Sequence, residues 1–207
     1  QYFINQGMTP PSPAMTKACL MNSGRYLTGA WGGDTLPSAN QGMGGINLGM
    51  AFDGVARVVR DQLSEEKFTG SGQTRVFAGK ITDTNRPFRV TVAWTDAPGS
   101  TIGPAYNNDL DLTVLVGGQT YRGNAFQGSY SIPGGGADPC NNVERVFFPA
   151  GVGGNFTVVV SAANINSDGV PNDPDPLDQD FALVIYNAQA TTGPAIAAER
   201  RSTLTCR

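Results

Sequence analysis

The residues best equipped for chemistry are acidic. The chain carries 13 Asp against 4 Glu, and the aspartates fall in clusters. One cluster is Asp96 in WTDAPG with Asp109 and Asp111 in NNDLDLTV. On an extended strand Asp109 and Asp111 share one face, while Leu110, Leu112 and Val114 take the other. The end of the strand through Trp94 would then lie near the start of the strand through Leu110, bringing three carboxylates to one rim. Like charges ~4 Å apart repel by about 1 to 4 kcal/mol, depending on the effective dielectric. Such a rim calls for a cation or for dense hydrogen bonding. Calcium suits it, because that ion takes ~6–8 oxygens from carboxylates, amides and carbonyls. Asn107, Asn108, Asn141, Asn142 and Glu144 are the neighbours able to add oxygens. The expected metal set is Asp96, Asn108, Asp109, Asp111 and Glu144. In the competing arrangement Asp96 caps the turn at Ala97-Pro98-Gly99, and Asp109 and Asp111 accept hydrogen bonds from the backbone or from Arg89 and Arg145.

A second cluster is NINSDGVPNDPDPLDQD. Counted from Asn164, oxygen-bearing side chains fall at positions one, three and five (Asn164, Asn166, Asp168), Gly169 at six and Asp175 at twelve. That is the spacing of an EF-hand loop, with Asn for Asp at position one and Asp for Glu at twelve. No helices flank it and prolines interrupt it, so a solvated loop joining two strands is the expected structure.

Nucleophilic catalysis has no support. The chain contains no histidine, and Ser12, Ser23 and Ser38 have no recognisable base beside them. An unassisted hydroxyl is a weak nucleophile, so these serines are expected to be caps or loop residues. Cys19, Cys140 and Cys206 lack metal-ligand spacing. Cys19 is expected to be buried. Cys140 and Cys206 are the preferred disulfide pair if one forms, which would imply an oxidising compartment.

The elements that must hold these residues change character along the chain. Among 207 residues, 40% are hydrophobic and only 15% charged, with net charge −3. The 14 basic residues form no cluster, so nucleic acid is an unexpected partner. No apolar run approaches the ~20 residues needed to cross a bilayer. No signal peptide opens the sequence, so any export would be directed by residues outside it. In PPSPAMTKACLMNSG, Ser12 is a suitable N-cap, Pro13 a suitable first helical residue and Gly24 a suitable stop. Asn47 could cap a second short helix over Leu48 to Val55. Two such helices cannot bury their own apolar faces without another layer. From about Val58 the period becomes two, in RDQL, TRVFAGKIT, RPFRVTVAW, DLDLTVLV, GQTYR, VERVFF, NFTVVVSA and DFALVIYN. About eight strands without crossover helices predict an antiparallel β-sandwich of jelly-roll type. The domains expected are residues 1–57, a β-sandwich over 58–190 and a tail over 191–207.

Two sets of segments resemble a known family. PSPAMTKACLMNSG followed by QGMGGINLGMAFD resembles the end of the catalytic domain of subtilisin-like serine proteases. VTVAWTDAPGS, YNNDLDLTV, YRGN, NNVERVFF, GNFTVVVSAANI and DQDFALVIYN resemble the β-sandwich that follows that domain in one branch of the family. Their order is the family's order, and together they span nearly the whole chain. The resemblance implies the C-terminal portion of an exported endopeptidase, with the rest of the catalytic domain and the parent's protein substrates as partners. It also implies calcium, which commonly stabilises these enzymes. The family's triad is Asp, His and Ser. With no histidine and no Gly-Thr-Ser segment, this chain is expected to lack catalysis of its own. A different class of reading is a β-sandwich binding module for carbohydrate or protein. Such a module should line up aromatics on an exposed face, whereas Phe88, Trp94, Phe156 and Phe181 alternate as core residues. Exposed Trp31 and Tyr26 in the Gly-rich loop could touch a ligand or pack against the rest of a protease.

Overall fold

A computed structural model describes residues 1–102 and 106–191. Three short helices, α1 (Tyr2–Asn5), α2 (Pro13–Asn22) and α3 (Leu48–Ala51), precede the strands. The strands are β1 (Arg57–Asp61), β2 (Thr74–Ile81), β3 (Phe88–Ala93), β4 (Asp109–Val116), β5 (Gln119–Gln127), β6 (Tyr130–Pro133), β7 (Val143–Phe148), β8 (Asn155–Asn164), β9 (Ala182–Tyr186) and β10 (Ala188–Ala190). They form two antiparallel sheets, one in the order β1-β9-β3-β7 and one in the order β10-β2-β8-β4-β5-β6. The chain is thus the expected mainly β sandwich. The described residues form ten strands rather than about eight, because two short ones carry no alternation. β6 is largely exposed, and β10 reads in sequence as an extension of β9.

Period-two alternation builds the core. Phe88, Val90 and Val92 of β3, Leu110, Leu112 and Val114 of β4, and Phe156, Val158 and Val160 of β8 meet between the sheets. Both ends of the sandwich are tied. At one end the chain passes from β9 to β10, and so between sheets, at Asn187 (φ 63°). The buried Asn187 side chain holds that switch by accepting from Thr82 Oγ1 and Asp83 N and donating to the carbonyls of Asp83, Arg86 and Pro87. At the other end β5 and β6 lie against β7 of the opposite sheet.

The four-stranded sheet is covered on its outer face as well. Ser12 caps α2 by accepting from Met15 N at 2.9 Å, and Pro13 opens the helix. Ala14, Met15, Ala18 and Cys19 then pack on Ala93, Val143, Ala182 and Val184, the outward residues of β3, β7 and β9. This is the additional layer that the short helices require. It also explains why those three strands are buried on both faces. Asp61 of β1 anchors the start of α2, accepting from Ser12 N at 3.0 Å and Ser12 Oγ at 2.5 Å. The expected division near residue 57 coincides with the start of β1, and α2 packs across it. α3 stops at Ala51, short of Val55, as the chain turns through Gly54 (φ 73°). Cys19 is buried, which pushes its thiol up to about 11. Cys140 is exposed, while Cys206 and its expected pairing lie outside the described residues.

Candidate metal centre

A gap in one ladder creates the centre. β4 pairs with β8 along its length, but with β5 only from Thr113 to Val116. After Arg122, β5 leaves β4 and turns towards β7. Asn124 (φ 56°) makes the turn, donating to Val143 O at 2.9 Å and accepting from Arg145 N at 3.2 Å. Residues 109–112 of β4 are left without a β5 neighbour. Glu144 of β7 reaches into this gap, and its Oε2 accepts from Leu112 N at 2.6 Å. The glycine at 123 makes room for it. A Cβ there would overlap the Glu144 carboxylate and stand 2.7 Å from the Glu144 Cβ.

Glu144 is only 1% exposed, and its second oxygen, Oε1, is buried without a hydrogen-bond partner. So is Oδ1 of Asp111. Burial pushes the Glu144 carboxyl up to about 9 against the Leu112 hydrogen bond, and the charges of Asp111, Asp138 and Asp109 add to the rise. Asp109 is raised to about 6 by burial and by Asp111, Asp138 and Asp96. Asp111 is raised by burial, with Arg122 opposing and Asp138 reinforcing. Asp111, Asp138 and Asp109 thus oppose the ionisation of Glu144, but no three of these four groups place ligand atoms within 4.8 Å of one another. Two of their buried oxygens, Oε1 of Glu144 and Oδ1 of Asp111, have no donor to accept from.

Of the five expected residues, Asp109 and Asp111 share one face of β4 and Glu144 reaches β4 from β7 through Leu112 N, while Asp138, outside that set, lies in the loop before β7; among the described residues the acidic grouping close enough to share an ion is instead Asp173, Asp175 and Asp178. Asp138 sits in a Gly-rich stretch and carries no local mark in the sequence. Asp138 is held by Asx-type bonding from Cys140 N at 3.1 Å and by the amides of Asn124 and Asn141, each at 2.7 Å.

Asn108 is removed from the metal set by its own hydrogen bonds. Its buried amide donates to Ser167 O, Asp178 O and Gln179 Oε1, and its oxygen accepts from Asn166 N and Ser167 N. With both lone pairs used, the side-chain oxygen has none left for an ion. Asp96 differs from the cap expected at Ala97-Pro98-Gly99: its oxygens accept instead from Asn107 N at 2.7 Å and Asn108 N at 2.9 Å, just before β4. Asn107 in turn donates to the carbonyls of Ala97 and Pro98. Arg89 and Arg145 do not face the acidic rim. They lie on the outer face of the four-stranded sheet, where Arg89 Nη1 donates to Asn22 O and Gly24 O, and Arg145 Nη1 donates to Met43 O at 2.7 Å. Both guanidinium groups also sit over the Phe147 ring.

The second acidic cluster is organised differently from an EF-hand. Oxygens of Asp173, Asp175 and Asp178 lie within 4.8 Å of one another, a grouping that could hold a metal ion. Lys67 Nζ bonds all three, with Asp175 at 2.9 Å and Asp178 at 2.8 Å. Burial opposes the charge on Lys67, but the three carboxylates outweigh it and hold the group well above the ordinary lysine range. An ammonium thus occupies the place of a cation, and the loop is a strand connection pinned to the sandwich. In the Gly-rich loop, Trp31 is 85% exposed beside a hollow of about 480 Å³ lined by Arg25, Leu27, Asn40 and Gln41. Tyr26, expected to be exposed, instead packs on Leu36, Phe126 and Phe147, with its hydroxyl donating to Asp34 O at 2.7 Å. No protein-family model matches the chain, and no curated protein is significantly similar to it.

Proposed function

We propose that the chain is the C-terminal portion of an exported subtilisin-like serine endopeptidase, in which residues 1–57 close the catalytic domain and the sandwich stabilises it with bound calcium. Peptide-bond hydrolysis belongs to the parent, since this chain has no histidine to serve as base. Its partners are the rest of the catalytic domain and, through the parent, protein substrates. Exposed Ile4, Ile46, Leu48 and Phe52 within residues 1–57 fit a surface that packs against more protein.

The observation that carries the metal reading is Glu144, a buried carboxyl with an unpartnered oxygen whose ionisation Asp111, Asp138 and Asp109 oppose. Asp109, Asp111, Asp138 and Glu144 offer only oxygen donors, the set suited to a hard cation such as calcium and unsuited to zinc. Titration calorimetry with CaCl2 is the test. The expected outcome is saturable binding by the wild type that Glu144→Gln weakens at least tenfold; absence of binding by the wild type would remove calcium from the reading. For the protease assignment, the isolated chain is expected to leave casein uncut, and cleavage blocked by a serine-directed inhibitor would overturn it.

A binding module for carbohydrate or protein is the second reading, and exposed Trp31 beside its hollow is what favours it. Oligosaccharide-induced fluorescence quenching that disappears in Trp31→Ala would support that reading over the accessory role.

A further inference from the structure

The Gly-rich segment from Arg25 to Gly45 holds an aromatic side chain out into solvent at a conformational cost. Trp31 is 85% exposed and has φ 70°, a backbone region that bulky side chains rarely adopt. The loop around it leaves no slack. Arg25 and Gly45 exchange both backbone hydrogen bonds, at 2.7 and 2.9 Å. Gln41 buckles the interior, accepting from Leu27 N at 2.9 Å and donating to Leu27 O at 3.4 Å and to Asp34 Oδ1 at 2.7 Å. Gly33 N also donates to Leu27 O. A Cβ at Gly32 would stand 2.5 Å from that carbonyl, so only glycine lets the turn close beside Trp31. A strained, exposed aromatic on a braced loop is pre-organised for contact, because binding demands little further ordering.

The hollow beside Trp31 sets the chemistry of that contact. Its volume, about 480 Å³, is that of a small-ligand site. Arg25, Thr28 and Asn40 line it together with Trp31. Arg25 is exposed, and among the described residues no carboxylate lies within ion-pair distance of its guanidinium. Asp34 is the only acidic residue between Arg25 and Gly45, and its oxygens are taken by the Gln41 and Asn40 amides. A flat indole, an unpaired guanidinium and neutral polar groups in one hollow match a ring with apolar C–H faces, a polar rim and a carboxylate. A stable protein interface would need about 1,200 Å² or more of buried surface. An anionic membrane would need a basic cluster, which the 14 scattered basic residues do not form.

We propose that the hollow beside Trp31 binds an anionic oligosaccharide, with Trp31 stacking on a sugar ring and Arg25 taking the carboxylate of a uronic acid. This rests on the binding-module reading and names its ligand class. The site needs neither a metal ion nor catalysis by the chain.

Titration of the intact chain with tetragalacturonate in EDTA, followed by tryptophan fluorescence, is the test, and EDTA keeps the calcium reading out of the result. Trp94, the other tryptophan, is 2% exposed, so saturable quenching reports Trp31. Binding is expected to be at least about tenfold tighter than that of the fully methyl-esterified tetramer, the scale of one charge-assisted hydrogen bond. Arg25→Gln should lose that preference and leave ester binding unchanged. Trp31→Ala, read by calorimetry, should abolish binding of both tetramers. Both substitutions fall on exposed residues, and matching far-UV circular dichroism separates lost affinity from lost folding. Equal affinities for acid and ester, unmoved by Arg25→Gln, would overturn the anionic ligand and leave the binding-module reading standing. Quenching by tetraglutamate as strong as by tetragalacturonate would overturn the saccharide in favour of an acidic peptide. Binding of neither tetramer would overturn the inference, while quenching by neutral oligosaccharides decides the reading beneath it separately.

Discussion

Glu144 stands where a strand should be: its Oε2 takes the Leu112 N–H at 2.6 Å, a donor that β5 leaves free by departing from β4 after Arg122. A carboxylate has replaced a ladder carbonyl, and its other oxygen is left buried and unpartnered. Buried polar atoms without partners are rare in native proteins.

The first prediction concerns the sign of a substitution with and without metal. A carboxyl pushed up to about 9 must take up a proton to be buried at neutral pH, and Glu144→Gln keeps an oxygen for Leu112 N without that cost. In EDTA the variant is expected to melt above the wild type. In calcium at 100 times its dissociation constant, the wild type should gain about 2.7 kcal/mol, corresponding to roughly 5–10 °C for a chain of this size, and the variant should gain little. Thermal scans in the two buffers check this; parallel shifts in both proteins would count against the centre.

Gly123→Ala is the steric counterpart. The added methyl would collide with Glu144, and overpacking of this kind costs about 1–3 kcal/mol. The double variant Gly123→Ala/Glu144→Ala should recover part of that loss. Urea unfolding of the single and double variants measures the recovery, and strict additivity would show that the two positions are not in contact.

Lys67→Met is expected to destabilise by about 2 kcal/mol, because Asp178, fully buried, loses its counter-charge but keeps hydrogen bonds from Gly169 N and Val170 N. The pH dependence has a definite direction. Asp173 is held below its ordinary value of 3.8, first by its bond from Lys67 and then by the Asp175 N–H. A depressed folded-state value contributes stability above 3.8 that is lost as pH falls through the folded value. Lys67 itself is raised above 10.5, so its contribution persists through neutral pH and is lost only at the alkaline extreme. Wild type should therefore lose more stability than Lys67→Met between pH 5 and acid, which denaturant melts across that range would detect.

Asn108→Ala removes a fully buried side chain that makes five hydrogen bonds to the Ser167 and Asp178 loop segments. Several backbone groups would lose their partners together, each at about 1–3 kcal/mol if water cannot replace it. A loss of at least about 3 kcal/mol is expected in chemical denaturation, with early proteolysis in the 165–178 loop. A loss below about 1 kcal/mol would mean that water reaches the loop.

Much of the architecture was legible in local pattern. Strict alternation in DLDLTVLV and NFTVVVSA placed β4 and β8, and Ser12-Pro13 placed the start of α2, because side-chain period and capping chemistry act over a few residues. β6 was not legible because its side chains are mostly exposed, and β10 because its backbone continues from β9 with only Asn187 between them. Asp109 and Asp111 stood out as two like charges on one strand face, whereas Asp138 had no local mark, being brought in by a turn. The assignment of Arg89 and Arg145 to the acidic rim failed for a related reason: alternation shows that two residues share a face, but not which layer that face meets.

The sequence by itself determined the mainly β class, the inward residues of the strands, the cap of α2 and the absence of a histidine. Each follows from residue type and short-range periodicity. Only the tertiary structure decided that β5 leaves β4 at Arg122, that Glu144 fills the gap beside Gly123, and that Lys67 stands among the second group of aspartates. Those contacts join residues far apart in the chain, and their geometry depends on strand register and on where a ladder ends, which no local pattern encodes.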